Sequence, residues 1–324
     1  MADAKLDVLL LGPAKPTIVN GLESQVNLHK MIEAIDGEAF LAELAPRLRA
    51  IAVSSFGGVD STFMARFPKL EIVSSFGVGY DHIDAKWAGA HGIVVTNTPQ
   101  VLDEEVADTA LGLLLCTVRQ LPQADRFVRA GRWPKENFPH SRATLRDRTV
   151  GIVGLGRIGK AIARRLDAFG VPVAYHGRNA QADVSYRYYP DLVAMARDVD
   201  VLLVMTPGGA ATKNLIDAKV LEALGPDGIL INMARGSVVD EAALIDALQK
   251  KKIYSAGLDV FADEPNVPQG LIEMEQVVLL PHVGSASVHT RRAMDQLVVD
   301  NLLAWADRKP PLTPVGETPW PPKK

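Results

Sequence analysis

The stretch TVGIVGLGRIGKAIARRL, residues 149–166, constrains the chain more than any other. An apolar run passes directly into Gly154, Gly156 and Gly159, and these lead into a segment whose apolar residues recur at helical spacing. Each glycine has its own task in such a turn. The first allows the tight reversal, the second lets the backbone approach a ligand, and the third lets the helix pack on the strand. A strand that leaves through a helix returns beside itself in parallel, so the fold demanded is α/β.

The rest of the chain repeats that rhythm. Apolar runs at 7–12, 50–55, 70–75 and 92–97 form one series of predicted strands. Runs at 149–154, 171–176, 200–205, 228–233, 255–260 and 277–281 form a second. Helical patterns such as DEAALIDALQKKK separate them. Two series predict two parallel-sheet α/β domains. At 324 residues the chain also exceeds the roughly 250–300 at which one core stops growing.

The joints are expected near Pro99, in NTPQVLDEE, and in GSASVHT at 284–290. Residues 1–98 with 290–324 are expected to form a smaller, substrate-binding domain, and 99–289 a dinucleotide-binding domain. After the first joint a helical stretch runs from Glu104 to Ala130, with a break expected at Pro122. Late in the chain, Met294, Leu297, Val298, Leu302 and Trp305 give an amphipathic helix that can return to the first sheet. The last fifteen residues are proline-rich and expected to be extended.

Composition excludes several classes. A net charge of −3 leaves no basic footprint for nucleic acid. The longest apolar runs are about nine residues, against the ~20 that a membrane span needs. No secretory signal is evident at MADAKLDVLLLGP. The single cysteine, Cys116, cannot form an internal disulfide, so a reducing, cytoplasmic compartment is expected; its apolar setting marks it as a buried structural thiol. The seven histidines are dispersed without ligand spacing, so no metal is expected.

A second strand ending about twenty residues beyond the glycine turn turns the motif into a dinucleotide site. The helix N-terminus then offers N–H groups and partial positive charge to a pyrophosphate. Proteins that hold NAD this way often place an acidic residue at the end of that second strand, where it grips the ribose hydroxyls. Here the strand ends in His176, Gly177, Arg178 and Asn179, with no carboxylate. A 2′-phosphate would be repelled by a carboxylate and matched by a guanidinium fork. NADP(H) is therefore the expected cofactor, with NAD(H) the alternative.

Three ionisable residues follow successive strands: Arg235 in NMARGSVVD, Glu264 in GLDVFADEP and His282 in LLPHVGSAS. Chemistry gathers at carboxyl ends in an open parallel sheet. An arginine that binds a carboxylate, a histidine that donates a proton and a glutamate that holds the imidazole suit reduction of a 2-oxo acid by hydride. Taken singly, each reads more readily as a surface arginine, a turn cap or a structural histidine, and the case rests on all three standing at successive strand ends.

In this order, GLGRIG, NMARGSVVDE, GLDVFADEP and LLPHVGSAS resemble the D-isomer-specific 2-hydroxyacid dehydrogenase family. FGVGYDHID (76–84), NTPQVL (97–102), EVADTALGLLL (105–115) and AGRW (130–133) extend the resemblance over roughly residues 50–315. It implies two Rossmann-like or flavodoxin-like parallel-sheet domains flanking an active-site cleft. It implies that Arg235, Glu264 and His282 are catalytic, with Arg235 and His282 also touching substrate and cofactor. It implies that Asp259 meets the nicotinamide amide and that Arg157 and Ile158 supply backbone donors to the pyrophosphate. Thr206 and Pro207 then lie at the adenosine side, Met233 and Ala234 near the nicotinamide, and Thr109 on the cofactor side. Val78 and Gly79 resemble the backbone N–H pair that clamps the substrate carboxylate.

The segments FGVGYDHID, LLPHVGS and LTPV resemble the glyoxylate/hydroxypyruvate and hydroxyphenylpyruvate reductase branch. Many NAD-using members have Asp where Gly177 stands, and formate-oxidising relatives have Gln where Pro281 stands. The implied activity is NADPH-dependent reduction of glyoxylate or hydroxypyruvate to glycolate or D-glycerate. Reduction of hydroxyphenylpyruvate or phenylpyruvate is the alternative, and a non-catalytic dinucleotide sensor is the alternative from another class. A homodimer is expected through the apolar stretch 105–118, which resembles the family's dimer arm.

Overall fold

The computed structural model describes residues 5–55 and 58–321. The chain divides into two compact units, one up to residue 102 and again from 287, the other spanning 103–286.

The first unit is built on a five-stranded parallel sheet, β1 (Asp7–Leu11), β2 (Asn27–Lys30), β3 (Ala50–Val53), β4 (Ile72–Ser75) and β5 (Val94–Thr96), in the order β2-β1-β3-β4-β5. β3, β4 and β5 are buried along their whole length, which is why they read as continuous apolar or small-residue runs. Helix Val288–Ala306 lies against β3, β4 and helix Pro16–Leu22, burying Met294, Val298, Leu302 and Trp305. The proline-rich segment that follows runs beside β5: Thr96 bridges Pro314, and the Val315 N–H donates to the Val95 carbonyl at 2.9 Å. An edge is the place where a strand tolerates proline, because the missing N–H need not pair.

The second unit carries seven parallel strands: β6 (Val150–Val153), β7 (Val173–His176), β8 (Arg187–Tyr189), β9 (Val201–Val204), β10 (Ile229–Asn232), β11 (Ser255–Leu258) and β12 (Val278–Leu279). Their order is β12-β11-β10-β9-β6-β7-β8, so the winding reverses between β6 and β9. Two strands escape the sequence pattern, β2 (NLHK) and β8 (RYY), and both lie at sheet edges. An edge strand has one neighbour and an open side, so an apolar run is not obligatory there, although the other two edge strands, β5 and β12, do show one.

The helical stretch after residue 102 breaks at Gln120, in the left-handed region at φ 56°, and not at Pro122. Pro122 lies in the first turn of the next helix, Leu121–Arg129, where a missing N–H costs nothing. Cys116 is half-buried where full burial was expected, and burial pushes its thiol up from the ordinary value. In helix Asp103–Arg119 the side chains of Val106, Ala110, Leu113, Leu114 and Val118 are buried within this unit. Exposed apolar residues flank it, Val101 before and Leu121, Val128 and Trp133 beyond.

Candidate active site

The glycine turn sits where the winding of the larger sheet reverses, the position at which open α/β sheets hold ligands. Its three glycines are not equivalent. Gly154 has φ 99°, and a Cβ there would lie 2.7 Å from the Met205 carbonyl oxygen and 2.9 Å from Thr206 Cα. A Cβ on Gly159 would collide with the Gly154 carbonyl. A Cβ on Gly156 would meet no heavy atom within 4 Å. The chain's own packing thus requires the outer two glycines, while the middle one keeps a bare surface toward the outside.

The helix that follows, Arg157–Ala168, has no side-chain N-cap, a feature it shares with the helices at Pro16, Leu121 and Gln269. Helices beginning at Gly37, Ser61, Ala85, Leu192, Ala218, Glu241 and Val288 are closed by an Asp or Ser side chain, worth ~0.5–2 kcal/mol each. The helix at Arg157 has Gly156 as its N-cap, no side-chain cap and no acidic residue in its first turn. Its leading N–H groups, those of Arg157 and Ile158 included, meet no capping side chain, and a helix start of this kind carries partial positive charge that suits an anion. The Arg157 side chain turns aside and donates through Nε to Asp103 Oδ2 at 3.0 Å.

At the end of β7, His176 Nδ1 donates to the Tyr189 carbonyl at 2.9 Å, so that nitrogen carries a hydrogen. Gly177 does not have a positive φ, and a Cβ there would meet nothing within 4 Å. No steric reason therefore keeps a side chain from this position. Arg178 and Asn179 are exposed.

β10, β11 and β12 are neighbours, so the residues that follow them share one edge. Arg235 is half-buried, and its Nη1 donates to the Ala234 carbonyl at 2.8 Å. Asn232 fixes this turn: its Nδ2 donates to the Arg235 carbonyl at 3.0 Å and its Oδ1 accepts from the Ala234 N–H at 3.1 Å. A Cβ on Gly236 would overlap the Phe261 backbone, so only glycine lets the Arg235 turn lie against the loop that bears Glu264. Met233 and Ala234 are buried beneath.

Glu264 Oε2 meets His282 Nδ1 at 2.7 Å, and its Oε1 accepts the Phe261 N–H at 3.1 Å. Burial opposes ionisation of Glu264, but the hydrogen bond and charge of His282, the Phe261 N–H and the Arg235 charge outweigh it, and the carboxyl is held below its ordinary value. His282 itself has φ 54°, an uncommon conformation for a histidine, and its N–H donates to the Asp259 carbonyl at 2.9 Å. Asp259 is only 2% exposed. Desolvation pushes its carboxyl up, against the pull of the Val283 and Gly284 N–H groups, bonded at 2.7 and 2.8 Å. The Thr109 hydroxyl lies 3.1 Å from the Gly284 carbonyl and 3.1 Å from that of Glu105. Thr109 and Asp259 thus both hold the backbone beyond His282. Thr206 and Pro207 follow β9, and the Pro207 carbonyl accepts from Thr212 Oγ1 at 2.7 Å.

In the first unit, Val78 and Gly79 lie in the loop after β4. Gly77, at φ 120°, exchanges hydrogen bonds with Thr98 on both its N–H and its carbonyl, at 2.9 Å each. Asn97 Nδ2 donates to the Val78 carbonyl at 2.8 Å. Sequence reasoning singled out neither Asn97 and Thr98 nor Asn232 and Gly236 as site residues. The available signal was a polar residue ending an apolar run, as in VVTN and ILIN.

A family model described as D-isomer specific 2-hydroxyacid dehydrogenase, NAD binding domain, matches residues 111–284. Among characterised proteins, the chain is 44% identical to a glyoxylate/hydroxypyruvate reductase of Arabidopsis thaliana over 96% of its own length and 99% of the relative's. It is 42% identical, with the same coverage, to a hydroxyphenylpyruvate reductase of Plectranthus scutellarioides. Among solved structures, it is similar to an NADPH-dependent glyoxylate/hydroxypyruvate reductase from Sinorhizobium meliloti in complex with NADP and malonate. That match has a TM-score of 0.93 and 53% identity, and covers 98% of both chains.

Proposed function

The chain belongs to the D-isomer-specific 2-hydroxyacid dehydrogenase family, and within it we propose an enzyme that uses NADPH to reduce glyoxylate and hydroxypyruvate to glycolate and D-glycerate. One observation carries the coenzyme reading. Gly177 stands in open space without a strained backbone, so its missing carboxylate answers to a ligand's charge and not to packing. Arg178 beside it supplies the fork that a 2′-phosphate needs, with His176 and Asn179 as further donors.

When bound, the reduced nicotinamide supplies the hydride for the keto carbon. Arg235 holds the substrate carboxylate and polarises the keto oxygen. With Nδ1 of His282 tied to Glu264, Nε2 is the atom that passes a proton to that oxygen. Glu264 fixes the ring's orientation and tautomer. Asp259, Met233, Ala234 and Thr109 are assigned to the nicotinamide side, and Thr206 and Pro207 to the adenosine side. Gly154, Gly156, Gly159, Arg157 and Ile158 are assigned to the pyrophosphate. In the first unit, the proposal gives the Val78 and Gly79 N–H groups to the substrate carboxylate.

The test is kcat/KM for NADPH and NADH with each 2-oxo acid. Strong preference for NADPH is expected, and equal use of the two would overturn the coenzyme reading. Including phenylpyruvates in the panel decides the second reading, which the 42% identical hydroxyphenylpyruvate reductase favours. No turnover with any of them would favour a dinucleotide sensor.

The proposal extends to a cytoplasmic homodimer. A lone cysteine suits a reducing compartment, and among the described residues no helix is long and apolar enough to cross a membrane. The contact is assigned to the stretch 105–118, and the exposed apolar residues just beyond it, Leu121, Val128 and Trp133, support an apolar contact there. Sedimentation of the purified protein tests it.

A further inference from the structure

The chain beyond β7 is tied down at three places. Tyr188 Oη donates to the Gly177 carbonyl at 3.1 Å. The Gln181 N–H donates to Tyr175 Oη at 2.7 Å, and Gln181 Nε2 donates to the Leu155 carbonyl, inside the glycine turn, at 2.7 Å. Lys160, from the helix that follows that turn, pairs with Asp183 at 2.6 Å. The Tyr175 ring is buried, and its centroid lies 5.3 Å from that of Tyr188. Between these ties sit Arg178 and Asn179, both exposed, and no side-chain hydrogen bond engages either among the described residues. A fixed backbone with uncommitted donor side chains is the arrangement of a preformed anion receptor, because ordering the loop costs nothing further at binding.

We propose that Gln181 is the positioning residue for the 2′-phosphate. Its amide couples the loop bearing Arg178 to the turn that faces the pyrophosphate, and so fixes the separation between the two phosphate-binding elements. The chemistry favours glutamine. The carbonyl of Leu155 needs a donor, which a glutamate at neutral pH lacks, and a glutamate would also set a negative charge near the phosphate. Lys160 meanwhile offsets the one carboxylate the loop carries, Asp183, and leaves Arg178 as the uncompensated charge.

This inference rests on the NADPH reading, and one experiment separates their failures. Calorimetric titration of the full chain with NADP+, NAD+ and the fragment 2′,5′-ADP would be run on the natural protein, Gln181→Leu and Tyr188→Phe. Gln181→Leu is expected to weaken NADP+ and 2′,5′-ADP by about 3–10-fold, the usual worth of one hydrogen bond, and NAD+ by less than about 2-fold. Tyr188→Phe should act in the same sense and serves as the deciding variant if Gln181→Leu does not fold. Equal weakening of both coenzymes would make the tie structural only, and unchanged binding would remove the role altogether. If the natural protein binds NADP+ and NAD+ alike, the coenzyme reading fails and this inference falls with it. If it prefers NADP+ and the variants keep that preference, only the positioning role fails.

Discussion

The carboxyl edge of the larger sheet is built on two plans. At the ends of β10, β11 and β12 the polar side chains hold each other or the backbone: Glu264 meets His282, Asp259 takes two N–H groups, and Asn232 braces the Arg235 turn. At the end of β7 the backbone is braced, but Arg178 and Asn179 project without partners among the described residues. Under the proposed function, the difference follows from what each end would have to do. A group that transfers a proton must be aimed before the substrate arrives, since misplacement is paid for in rate. A group that grips a phosphate finds its geometry in the ligand, provided its backbone is already in place.

That contrast can be broken most severely at His282. His282→Asn should lower kcat by ~10²–10⁴, with a much smaller change in NADPH affinity. Turnover close to normal would remove the proton donor from the account. Next, Glu264→Gln keeps the shape but replaces a charged hydrogen bond with a neutral one, and kcat should fall about 10–100-fold. An effect confined to KM would assign Glu264 to substrate binding.

At the other end, Gly177→Asp puts a carboxylate into space that is already empty, so it should fold normally. The ratio of kcat/KM for NADPH over NADH should drop roughly tenfold, a modest figure because the site is screened by solvent. A retained ratio would show that Gly177 does not select the coenzyme. The smallest effect concerns acid stability. The Glu264 carboxyl is held below its ordinary 4.5, so its contribution to stability is present above that pH and is lost as pH falls through the lowered value. Thermal melts below pH 4.5 should therefore decline less steeply for Glu264→Gln than for the natural protein.

How much of this was legible in the sequence depends on what encodes each feature. Interior strands of a parallel sheet are buried on both faces, so β3, β6, β9 and β10 appear as unbroken apolar runs. β2 and β8 are edge strands that are also largely unburied, and they stay hidden, whereas the edge strands β5 and β12 keep apolar runs. Pro122 drew the helix break to itself, although a proline in a first turn is compatible with helix and the left-handed residue is Gln120. Around the site, glycines and ionisable residues stand out by type and by position after strands. Their supports do not: Gln181 and Asn97 act on backbone atoms that only the folded chain brings near, and Asn232 braces a local turn that no periodicity records.

The most direct measurement is a crystal structure of this chain with NADP+ and oxamate, an unreactive mimic of a 2-oxo acid. The account predicts that His282 Nε2 and the Arg235 guanidinium both lie within about 2.6–3.2 Å of the oxygen that mimics the keto group, with the nicotinamide ring stacked against that carbonyl. A nicotinamide that faces away from both residues, or a mimic that touches neither, would contradict it.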